Sequence, residues 1–202
     1  MPSVEDIIVD PPGVGELFDP STLFPDGRPV ELEIGSGKGG FLLRRAQEAP
    51  DRGFVGIEWA NKFYKYTADR MARWGINNVR MMRADAKHLF IHQMAEDCLA
   101  ALHTYHPDPW PKKRHHKRRL IDAQFVQKVV TILKPGARWA IQTDHTEYFE
   151  WIRERTCPAP ELIEIPYDDP EFGIVDEEAG TNFEIKYLKE GRSIHRIAFR
   201  RQ

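Results

Sequence analysis

Val30-Glu31-Leu32-Glu33-Ile34-Gly35-Ser36-Gly37-Lys38-Gly39-Gly40-Phe41-Leu42-Leu43-Arg44-Arg45-Ala46 is the stretch that decides the fold. Val30–Ile34 is short, alternates apolar and acidic residues, and runs straight into a glycine-rich turn. Phe41–Ala46 then has helical composition and stops before Pro50. Strand, glycine-rich turn and helix, in that order, open a nucleotide-binding βαβ unit.

The pattern continues downstream. Gly53–Trp59, Val79–Met82, Cys98–Tyr105 and Arg138–Asp144 read as strands, followed by two late ones at Leu162–Ile165 and His195–Phe199. Helices are expected from Asn61 to Trp74, through Leu89, Phe90 and Met94, from Leu120 to Leu133 (closed by Lys134-Pro135-Gly136), and up to about Arg155. Such alternation requires an α/β sheet with helices on both faces. Residues 1–29, dense in proline and glycine, read as an irregular arm, and 30–202 as a single domain. A chain of 202 residues fits that count.

No window approaches the ~18 apolar residues that span a membrane, and the first residues lack a signal-peptide pattern, so the expected address is the cytoplasm with no membrane partner. Cys98 and Cys157 show no metal-ligand spacing and read as ordinary thiols; no metal is expected. The net charge of −2 conceals segregation. Glu161–Gly180 holds eight acids and no Lys or Arg, whereas Lys112–Arg119 holds six Lys/Arg and two His in eight residues. Local patches, not the total, therefore decide the partner.

Ligands of open α/β sheets bind beyond the carboxyl ends of the strands. Here those ends carry Gly35–Gly39, Glu58, Asp85, His106–Trp110 and Asp144, with Glu33 just before the first loop. Gly35, Gly37 and Gly40 satisfy G-x-G-x-x-G, and Glu58 lies about 20 residues on, which keeps a dinucleotide open. Glu33 would repel a pyrophosphate and attract an ammonium group. S-adenosylmethionine fits better, with Glu33 at the ammonium, Glu58 at the ribose hydroxyls and Asp85 at the adenine amine.

Tyr105–Arg119 joins a proline-stiffened turn holding Asp108 and Trp110 to the basic run. It suggests a base pocket beside a phosphate track, with a solvated loop as the plain alternative. Trp110 would either stack on a base or wall the pocket, and Asp144 could equally cap the next helix.

These residues resemble the tRNA (guanine-N7-)-methyltransferases of the bacterial single-chain type. The resemblance rests on Glu33–Gly39, Gly56-Ile57-Glu58, Ala84-Asp85-Ala86, Pro107–His115, Thr143-Asp144 and Thr181-Asn182-Phe183-Glu184. It implies a Rossmann-like class I methyltransferase, a mostly parallel seven-stranded sheet with an antiparallel last strand, and 7-methylguanosine formed in the tRNA variable loop. It also implies cofactor contacts at Glu33, Gly35, Gly37, Glu58, Asp85 and Asp108, with Asp108 catalytic. Substrate contacts would fall at Lys112, Asp144, Thr181 and Glu184, and RNA contacts at Lys113, Arg114, Lys117, Arg118 and Arg119. Two positions depart from the family pattern: His106 stands where phenylalanine is frequent, and Ile185 where a basic residue is common. Monomer and homodimer are both compatible with the sequence. The rival readings are a methyltransferase acting on an exocyclic amine of a base, a nicotinamide-dependent oxidoreductase, and a non-catalytic RNA-binding module.

Overall fold

Strand β2 (Val30–Ile34) is buried along its whole length, acidic residues included. Flanking it in parallel are β3 (Gly53–Ile57) on one edge and β5 (Leu99–Tyr105) on the other. Outward from β3 come β4 (Val79–Met82) and β1 (Ile8–Val9); outward from β5 come β6 (Leu133–Thr143), β8 (His195–Arg201) and β7 (Leu162–Ile165). The computed structural model, which describes residues 1–176 and 178–202, thus contains a sheet of order β1-β4-β3-β2-β5-β6-β8-β7. The antiparallel strand is β8, which runs against both β6 and β7. The sheet has eight strands and not seven, because the arm contributes β1, paired in parallel with β4.

The arm is ordered here by local chemistry. Ser3 and Asp6 form a reciprocal capping box that starts the helical turn α1 (Val4–Ile7). That turn buries Ile7 completely against Met71, Val79 and Met81.

Helices α2 (Gly40–Glu48) and α3 (Asn61–Arg73) cover the same face as α1, through Leu42, Leu43, Ala68 and Met71. On the opposite face lie α4 (Ala86–His92), α5 (Ala123–Ile132) and α6 (Thr146–Thr156), bringing Phe90, Phe125, Val129 and Tyr148 onto Leu32, Leu102 and Trp139. Helix α5 begins three residues later than its apolar pattern suggests, because Asp122 accepts the Phe125 N–H and fixes the start. It ends at Ile132, and the chain turns extended at Leu133 ahead of Pro135.

Helix α7 (Asn182–Lys189) was not expected. Thr181 and Glu184 form its capping box, a T-x-x-E signal that is visible in the sequence.

Beneath the sheet centre lies a buried ion cluster. Glu31, with no solvent exposure, accepts from Arg45 and Arg52 at 3.1 Å each and from His103 Nε2 at 2.9 Å. Burial holds the His103 pKa below its usual value, so the ring is neutral at pH 7. Its Nε2–H therefore donates to Glu31, and Nδ1, 2.9 Å from the Tyr105 hydroxyl, accepts from it. Burial raises the Glu31 pKa, but the His103 hydrogen bond and the two guanidinium groups outweigh it and keep the carboxyl ionised. Removing one partner of a buried pair strands the other. Glu31→Ala should cost about 3–5 kcal/mol of unfolding free energy in a urea titration; a loss below about 1 kcal/mol would show the cluster to be energetically idle.

Candidate active site

The register brings the carboxyl ends of the central strands level. Ile34 pairs with Ile57, Ile57 with Met82, Ile34 with Thr104, and Tyr105 with Gln142. The residues that follow, Gly35, Glu58, Asp85, His106 and Asp108, consequently crowd one rim at the point where strand order reverses between β2 and β5. A cavity of about 810 Å³ opens there. Its lining includes Glu33, Gly35, Gly37, Glu58, Asp85, Asp108 and Thr181, so all six expected cofactor residues and one expected substrate residue share one space.

The glycine loop is held by Glu58. Its Oε2 accepts from the Gly37 N–H at 2.8 Å and its Oε1 from the Ala60 N–H at 2.7 Å. A carboxylate has lone pairs beyond those two, so Glu58 can still accept from a diol. Gly35 has φ 77°, a left-handed conformation that a side chain would strain. At Gly39 (φ 67°) a Cβ would fall 2.4 Å from Thr67 Cγ2, so the loop and α3 touch only because it is absent.

Glu33 is 4% exposed and its Oε2 has no hydrogen-bond partner. Burial, with the Glu58 carboxylate adding to it, pushes its pKa up to about 8. The Ser36 hydroxyl is likewise buried without a partner. Two unpaired buried acceptors and a glycine cradle fit a ligand that brings its own donors, preferably with a positive charge.

The loop after β5 is stiff and strained. His106 (φ 50°) and Trp110 (φ 43°) both occupy the left-handed region, and three prolines fix the positions between and after them. Asp108 projects into the cavity mouth between these two residues. The His106 ring is buried against Phe183 and Tyr187, with centroids 6.1 and 5.3 Å away, and its Nδ1 faces the Asp144 carboxylate at 3.7 Å, outside hydrogen-bond distance. Burial lowers its pKa to about 4. The slot is thus an aromatic one, which accounts for a phenylalanine being at home there as well. Ile185 points outward on α7 and is half exposed.

The basic run forms a 3-10 turn over Lys113–Arg118. Lys113, Arg114, Lys117 and Arg118 are exposed, and Arg118 stacks over Trp110 at 5.0 Å. Arg119 corrects the sequence expectation. It is completely buried, donates to the Pro109 carbonyl at 2.9 Å, pairs with Glu147, and lies between the Tyr148 and Trp151 rings. It cannot reach RNA; it pins the Asp108 loop to α6.

The other three expected substrate residues are not in the cavity lining. Lys112 is exposed and outside the cavity lining. Asp144 does not cap α6, a role taken by His145; its Oδ2 instead accepts from Arg192 at 2.9 Å. Glu184 is 1% exposed, with Oε2 committed to the Gly180 N–H and Oε1 to Arg196, so it shapes the wall from behind. Lining residues to which the sequence assigned no role include Lys38, Trp59, Phe63, Asn182, Phe183 and Lys186. Asn182 and Phe183 were within reach of the sequence, because the capping box fixes the start of α7 beside the rim.

The Glu33 carboxyl binds its proton more tightly folded than unfolded, so its burial lowers stability progressively as pH rises from about 4.5 to about 8. Glu33→Gln should therefore melt close to the native protein near pH 5 and several degrees above it at pH 8. A melting-temperature difference that does not change with pH would refute the buried neutral carboxyl.

A family model described as a putative methyltransferase matches residues 27–197. A tRNA (guanine-N(7)-)-methyltransferase of a Nocardioides species is 37% identical across 98% of this chain and 77% of its own length. One from Syntrophotalea carbinolica is 32% identical across 91% of this chain and 78% of its own. Among solved structures, the aminoglycoside resistance methyltransferase NpmB1 superposes with a TM-score of 0.61 at 18% identity, over 87% of this chain and 88% of its own, which establishes a shared fold. The rim carboxylates, the strained loop after β5 and likeness along almost the whole length agree: the chain belongs to the tRNA (guanine-N7-)-methyltransferase family.

Proposed function

We propose that the protein methylates N7 of a guanine in the variable loop of tRNA, using S-adenosylmethionine. The observation that carries this reading is the convergence of Glu33, Glu58, Asp85 and Asp108 on one cavity whose mouth borders the exposed cations of Lys113–Arg118.

When bound, the cofactor supplies an electrophilic methyl on a sulfonium. Glu33 would give up its proton and pair with the ammonium, while Glu58 accepts from the ribose and Asp85 from the adenine amine. Guanine N7 carries an in-plane lone pair at neutral pH, so no protein base is needed to create the nucleophile. What the protein must do is align N7 with the methyl and stabilise the positive charge that develops on the purine. Asp108 suits both tasks, because Arg119 and the flanking prolines restrain its loop before any substrate arrives. A carboxylate there can accept from the guanine N1–H and N2 amine, a donor pattern adenine lacks. Asp144 could join it by exchanging Arg192 for the base. The neutral His106 contributes shape and no proton transfer.

Incubating the protein with isotopically labelled S-adenosylmethionine and unmodified tRNA, then digesting to nucleosides, should yield labelled 7-methylguanosine. Label in an N-methylated exocyclic amine, or none, would overturn the reading. Asp108→Ala should retain the fold and lose at least about a hundredfold in turnover. For the phosphate track, charge reversal at Lys113, Arg114 and Arg118 together should raise the tRNA KM and flatten the dependence of log affinity on log salt by about 2–3 units of slope, with cofactor affinity unchanged. An unaltered slope would remove this run from the RNA contact surface.

A further inference from the structure

The mechanism leaves one surface unused. Trp59 follows Glu58 directly and is 65% exposed. Phe63 and Tyr66 are also exposed, three residues apart on α3, and Trp59 lies just ahead of that helix's first turn. Single exposed aromatics are ordinary, but three within eight residues, at the start of a helix whose other face is already packed, need a reason.

Charge indicates the kind of occupant. Lys62 and Lys65 are exposed between the rings, and Arg83 stacks over Trp59 at 5.6 Å while its Nε donates to the Trp59 carbonyl at 3.2 Å. No acidic residue falls between Trp59 and Ala68, and the next one, Asp69, is paired with Arg73. Exposed aromatics interleaved with cations are what single-stranded nucleotides require: rings for bases of any identity and ammonium groups for the phosphates.

Position indicates which nucleotides. Trp59 and Phe63 line the same cavity as Asp108, and so does Trp110, stacked beneath Arg118. The mouth is therefore flanked by two arginine-stacked tryptophans, one after β3 and one after β5. A base delivered into the cavity leaves its chain neighbours at that mouth. We infer that Trp59, Phe63 and Tyr66, with Lys62, Lys65 and Arg83, form a second nucleic-acid surface that stacks an unpaired nucleotide adjoining the target base. This rests on the tRNA reading proposed above and assigns it a contact on the side of the site opposite the basic run.

Because Trp59 also borders the expected cofactor position, the decisive variant lies farther out. The triple change Lys62→Glu, Lys65→Glu, Tyr66→Ala should weaken binding of unmodified tRNA, read by fluorescence anisotropy at fixed salt, by about tenfold or more. Cofactor affinity by calorimetry and the melting temperature should not change. Trp59→Ala should weaken tRNA binding similarly, and Trp59→Phe should restore most of it. Unchanged tRNA affinity in the folded triple variant would overturn the inference. So would an effect confined to molecular mass in solution, which would make these residues an interface between copies of this chain. Native protein that forms 7-methylguanosine while the triple variant binds tRNA normally would sink this surface alone; native protein that neither binds nor methylates tRNA would sink the parent reading with it.

Discussion

A glutamate sealed from water beneath a catalytic rim obliges everything around it to be charged, bonded and in place. Glu31 gathers Arg45 from α2, Arg52 from the following turn and His103 from β5. The two arginines then reach beyond it, Arg45 to the Glu171 carbonyl and Arg52 to the Glu171 carboxylate. One residue earlier on α2, Arg44 donates to the Gly173 and Ala179 carbonyls. Glu171, Gly173 and Ala179, ahead of Thr181, Asn182 and Phe183, are thus held by the arginines of α2 and of the turn after it. The far wall of the cavity is positioned from the sheet centre outward, and the His103–Tyr105 link carries the same constraint to the foot of the Asp108 loop.

The site itself stores what the scaffold stabilises. Of the cavity's carboxyls, Glu33 has a buried unpaired oxygen and feels the repulsion of Glu58, and the loop after β5 holds two non-glycine residues at positive φ. Each feature is unfavourable in isolation and serves a ligand or a pre-set geometry, the usual location of such strain. Arg119 is the counterweight. A guanidinium between two rings, bonded to the Pro109 carbonyl, holds the strained turn down in a way that a flexible ammonium would not.

Much of this is legible in the sequence. Period, glycine spacing and the acids at strand ends point to the sheet, its switch point and the carboxylates gathered at its rim, because these depend on local pattern and chain order. What escaped depends on burial, which a charge run hides. Arg119 looks like its basic neighbours, yet Tyr148 and Trp151, far on in sequence, enclose it. Glu184 belongs to a conspicuous acidic motif, yet its oxygens serve the backbone of its own helix start and Arg196. His106 looked anomalous only while its slot was unknown; the Phe183 and Tyr187 rings make it one aromatic among others. Trp59 reads in the sequence only as the end of a strand, since nothing local distinguishes a tryptophan facing the core from one facing solvent.

The two-residue strand β1 has a consequence for how molecules of this protein meet. An open sheet ends in rows of unpaired N–H and C=O groups that can recruit another chain. Here one border is a strand of two residues, preceded by a capped helical turn, and the other is the four-residue β7. Neither offers length for a foreign strand to zip against. Crowded molecules are therefore steered away from edge-to-edge polymerisation.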